Sequence, residues 1–267
     1  MKRGSEMTAE KATAQEATRK VAFAKVLAIQ IIAYVVLVAL ALVPGMMYGD
    51  AAKPAAVPFT IIASLAMVVL LVVFSPFRDG VAGHVIAAIA GLLSAICATT
   101  VMLGNVIFPA GLDGGKSFSM EEAWIAGVGG LLIVLIIVSF GRQMARENRT
   151  HLIRSLSHSV VEGVAMIASA GWCFLPVLLP TTHSRAAAMS AASGATVDMF
   201  SNVTTTWVVA AIVTVLVAVA FTVCSYFWHR DADPEPDARS PWIGLALLPV
   251  MLTGLAVGLA ALAIVVL

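Results

Sequence analysis

Seven long apolar runs, separated by short polar connections, take up most of this chain and cover approximately residues 23–43, 57–74, 84–108, 123–140, 160–179, 203–226 and 243–267. Crossing about 30 Å of hydrocarbon takes roughly 20 apolar residues in a helix, which is the one single-segment structure that satisfies its own backbone amides in lipid. The pattern predicts an all-α, polytopic helical membrane protein with seven transmembrane helices. Residues 1–22 read as a polar N-terminal arm, and residues 23–267 as a single seven-helix domain. The first run is too long for a signal-peptide core and lacks a convincing small-residue cleavage site, so it reads as a retained span.

Composition agrees with that reading. The chain is 60% apolar and 12% charged, with a mean hydropathy of +0.98, whereas a soluble domain is about half apolar and a quarter charged. The expected partner is therefore the lipid bilayer. A net charge of +1 and the lack of a basic domain argue against nucleic acid.

Charge placement gives an orientation. When the connections are assigned alternately to two sides, 13 of the 16 Lys and Arg residues fall on one side, and the other side keeps only Lys53, Lys116 and Arg185. By the positive-inside rule the N-terminus is expected in the cytoplasm and, after seven spans, the C-terminus outside. Trp124 and Trp207 would mark outer helix ends and Trp228 and Trp242 inner ones, as belt residues at headgroup depth. The Ala- and Val-rich spans suggest a bacterial cytoplasmic membrane. The outer connections at 45–58, 109–122 and 180–202 are rich in Gly, Pro, Ala and Ser and too short to fold as domains.

Two polar features stand out. In the connection at 141–159, Arg142, Arg146 and Arg149 follow one another at helical spacing and would share a face, with Arg154 a little further on. Such a stripe suits lipid phosphates or a cytoplasmic or membrane partner subunit. The second feature is Glu162, one turn inside the fifth run. Arg154, His158 and Glu162 are each four apart, and His84 opens the third run on the same side. An ionisable group inside a span is a functional candidate, so His84, His158 and Glu162 form a candidate polar relay for protons or a cation.

Gly254 and Gly258 form a G-x-x-x-G in the seventh run, a place for close helix packing. Pro176 and Pro249 each remove a backbone bond and can kink their helices. Cys97, Cys173 and Cys224 lie at scattered depths inside runs and read as packing residues rather than a disulfide framework or metal site. Glu121-Glu122 reads as a solvated helix N-terminus, favoured by the dipole.

No catalytic motif, metal site or cofactor site is legible. No Lys follows Lys116 to carry a retinal, and G-x-x-x-x-G-K-[ST] and H-E-x-x-H are missing. The leading expectation is a transporter or permease component. A structural or assembly subunit of a membrane complex comes second, and an intramembrane enzyme third.

Overall fold

The structure, a computed structural model, describes residues 23–42, 52–77, 80–101, 119–145, 152–178, 202–231 and 240–266. They form seven helices and, among the described residues, no strand. These are α1 Phe23–Leu42, α2 Ala52–Val73, α3 Gly80–Thr99, α4 Met120–Met144, α5 Leu152–Ser169, α6 Asn202–Asp231 and α7 Pro241–Val266. A 3₁₀ segment, Ala170–Leu178, continues α5. Six helices are long and apolar enough to cross a membrane, and α2 contributes a shorter apolar stretch, Pro58–Val73. This is a multi-pass membrane protein.

Helix ends follow local chemistry more closely than the limits of the apolar runs. α3 begins before His84 and stops at Thr99, well short of the 108 expected from hydropathy. The Thr99 hydroxyl donates to the Ala95 and Ile96 carbonyls and Thr100 Oγ1 to Ile96 O at 2.9 Å, so side chains occupy the acceptors of the last turn. α4 opens on a reciprocal cap: Glu122 N–H donates to Ser119 Oγ at 3.2 Å and Ser119 N–H to Glu122 Oε2 at 2.8 Å. α7 starts at Pro241, where the missing amide would have had no intrahelical partner anyway.

Cross-helix contacts order the bundle. Phe77 at the end of α2 meets His158 near the start of α5, while Ser64 meets Ser169 deeper in, so these helices run antiparallel. α4 and α5 do likewise through Leu135 with Gly163 and Trp124 with Phe174. Phe23 at the start of α1 stacks edge-on against Tyr226 near the end of α6, with centroids 5.1 Å apart. The starts of odd helices and the ends of even ones therefore share one end of the bundle.

α5 is the hub, packed on α2, α3, α4 and α7, and most of the stretch Leu156–Leu178 is buried. In the stretch Val208–Trp228 of α6 only Ala210 and Ser225 are buried, so this helix is peripheral. The 3₁₀ segment is nine residues long and contains Pro176, which cannot donate to the Trp172 carbonyl. It is also where α7 comes closest: a Cβ on Gly171 would collide with the Gly254 carbonyl, and one on Gly254 with the Ala168 carbonyl. Trp172 Nε1–H bridges the same contact to Val250 O at 2.9 Å.

Trp124 corrects the belt reading. Its ring is fully buried and Nε1–H donates to Ser94 Oγ at 3.1 Å, which in turn donates to Ile167 O at 2.7 Å. An indole whose N–H is satisfied inside has no reason to seek headgroups. Trp228 is partly exposed, and the side chain of Trp207 lies outside the described residues. Cys97 and Cys173 pack in the core, whereas Cys224 is exposed on α6.

Candidate functional site

Glu162 sits on the innermost face of α5 with no solvent exposure. An ionised carboxylate there costs a few kcal/mol by insertion scales, about 2.5–3.5 at mid-membrane, unless it is paired. The pairing comes from α3. His84 Nδ1 lies 2.8 Å from Oε1 and 2.9 Å from Oε2, within hydrogen-bond reach of both carboxylate oxygens. α3 and α5 run in the same direction and cross at an angle, which brings His84 to Glu162, Gly91 to Met166 and Ser94 to Ile167. Gly91 makes the approach possible, for a Cβ there would press into Met166, while Gly163 does the same for α4 by leaving room for Leu135.

The pair has two ends of different character. Glu162 is sealed, while the His84 side chain is 19% exposed, so the imidazole is the connection between a buried acid and the outside. His158 stacks its ring on Phe77 with centroids 4.8 Å apart. Ser159, beside it in sequence and one turn from Glu162, buries an Oγ that makes no hydrogen bond. Of the three proposed relay residues, the structure thus joins His84 to Glu162 and gives His158 an aromatic neighbour from α2.

The arginine stripe is only partly in view. Arg142 is half-buried in the last turn of α4, beside a buried Gln143. Arg146, Arg149 and the side chain of Arg154 lie outside the described residues. Gly254 and Gly258 are turned inward: the first backs onto Ala168, and the second leaves room for the Trp124 ring.

Further polar groups line the interior that sequence alone did not single out. Tyr34 Oη and Thr253 Oγ1 lie 3.0 Å apart between α1 and α7, and Ser64 donates to Ser169 at 3.1 Å between α2 and α5. Gln30 on α1 is fully buried with neither amide atom hydrogen-bonded. The only signal for Gln30 was an amide within an apolar run. By contrast, a groove of about 520 Å³ between α1 and α2 is bordered only by apolar residues such as Val36, Phe59, Ile62 and Leu247. It offers nothing to a hydrophilic solute.

Among the described residues, no group of three His, Cys, Asp or Glu side chains could hold a metal ion. Comparison with protein-family models, curated proteins and solved structures returns no match.

Proposed function

We propose that this protein is a proton-handling membrane transporter, or the permease component of one, in which Glu162 and His84 together carry the proton. One observation supports the reading above all others: a carboxylate with no exposure lies 2.8 Å from the Nδ1 of an imidazole that reaches the surface of the bundle. Histidine titrates near neutral pH and a buried carboxylate is stable only with a proton or a cation beside it, so the pair suits reversible proton uptake. The second reading, a subunit of a membrane complex, draws on α6, whose exposed Val209, Ile212, Val215, Leu216 and Val219 form a long apolar face that no other described helix covers.

The test is proton flux. In liposomes with sodium and potassium salts on both sides, the wild type is expected to dissipate an imposed pH step, read by a trapped pH dye. Glu162→Gln keeps the shape but cannot accept a proton, and is expected to fall to the protein-free rate. A Glu162→Gln rate equal to wild type would remove the pair from the transport path.

The proposed orientation puts the N-terminus and residues 141–159 in the cytoplasm, and the C-terminus outside. In a variant lacking Cys97, Cys173 and Cys224, a Thr150→Cys probe is expected to resist an impermeant thiol reagent in intact cells and to react after lysis. Labelling in intact cells would invert the topology.

A further inference from the structure

Resting on that reading of the same pair, we infer that Glu162 accepts a monovalent alkali cation in exchange for the proton it shares with His84, with the Ser159 hydroxyl as a second oxygen ligand. Ser159 is 5% exposed and its Oγ has no hydrogen-bond partner. A buried hydroxyl in that state loses its hydration without compensation, which native interiors rarely tolerate unless something else occupies the place. It stands three residues before Glu162 on α5, so the two side chains rise from one face about 5–6 Å apart at Cβ.

The donor set selects the ion class. Carboxylate and hydroxyl oxygens suit hard cations, and a lone buried carboxylate neutralises one positive charge. A divalent ion would want further carboxylates, and among the described residues no such cluster exists. Charge then fixes the stoichiometry. With His84 protonated, Glu162 is already neutralised; when the cation binds, the imidazole gives up its proton to water and the site keeps the same net charge. One cation in means one proton out.

The other described titratable groups at this end of the bundle do not displace this accounting. They are Lys25 on α1, Arg142 on α4, His158 on α5 and Cys224 and Tyr226 on α6, while the described side chains of α2 and α7 bring none. Glu162 is the one carboxylate among them.

The experiment uses the full chain in liposomes with a trapped pH dye. An inward gradient of sodium chloride or potassium chloride is expected to alkalinise the lumen, and choline chloride, whose methylated ammonium cannot bring a bare charge to oxygen ligands, to leave it unchanged. Ser159→Ala is expected to raise the half-saturating cation concentration about tenfold or more, the scale of a lost contact to a charged group, and Ser159→Thr to restore it. Proton flux equal in choline and in sodium or potassium would overturn the exchange while leaving the proton-handling reading intact. Cation-driven alkalinisation with an unchanged half-saturation in Ser159→Ala would remove Ser159 from the site. Loss of flux in every salt, with Glu162→Gln indistinguishable from wild type, would count against both readings.

Discussion

Gly254→Leu is expected to abolish most of the folded protein. At that position α7 lies against α5 so closely that a Cβ would collide with the Ala168 carbonyl and sit 3.0 Å from the Trp172 ring. The first of these is backbone, which cannot swing aside. A leucine must therefore push the two helices apart, and overpacking alone costs typically 1–3 kcal/mol. Separation also stretches the Trp172 to Val250 bond and the Tyr34 to Thr253 bond, each worth about 0.6 kcal/mol and up to about 1.7 between membrane helices. Gly129→Leu is the control, because nothing lies within 4 Å of a Cβ there; it is expected to leave the melting temperature in detergent unchanged or slightly higher, since leucine is the better helix former. Similar losses in the two variants would mean that the α5 to α7 contact is wrongly described.

The second large effect concerns the buried pair. His84→Ala leaves Glu162 sealed in the interior without its partner, and breaking a buried ion pair from one side costs about 3–5 kcal/mol, less whatever is recovered when the carboxyl takes up a proton. His84→Leu with Glu162→Leu removes both polar groups and is expected to regain most of the stability lost in either single leucine variant, because an apolar pair of similar volume has no desolvation to offset. The coupling between the two changes is the quantity of interest, and thermal unfolding of the two single variants and the double variant supplies it. Additive losses would show that the residues do not interact, whatever their distance in the structure. A strong coupling also bears on transport, since only a pair sharing one proton can pass it from the sealed carboxylate to the exposed imidazole.

The helices were legible because lipid leaves the backbone few options: an apolar run of about 20 residues must hydrogen-bond to itself. Their ends were less so. α3 stops at Thr99, where the Thr99 and Thr100 hydroxyls bond its last carbonyls, a detail of a few atoms that hydropathy averages away. Trp124 was misread for a related reason: the belt rule describes where indoles go on average, but Ser94 and Gly258 together prepare an interior place for this one. At the candidate site, helical spacing pointed to Glu162 and to His158 one turn away, and the alternation of sides added His84, but which of the two histidines meets the carboxylate, the one from α3, 78 residues earlier, was not legible. Spacing rules reach only along one helix. Which helices touch is set by Gly91, Gly163, Gly171 and Gly254, and small residues announce that something packs against them without saying what. Gln30 and Ser159 carried still less signal, since an orphaned amide or hydroxyl is defined by what surrounds it in space.

Infrared difference spectroscopy tests most directly whether Glu162 gains and loses a proton inside the folded protein. As pH is lowered across the range in which the protein stays folded in lipid, the wild type is expected to gain a protonated-carboxyl C=O band that shifts in heavy water. That band should be missing from Glu162→Gln and should appear at a different pH in His84→Ala, because the imidazole shares the proton. A wild-type spectrum identical to that of Glu162→Gln throughout the range would show a carboxylate whose protonation never changes, and the pair would then be a structural tie between α3 and α5.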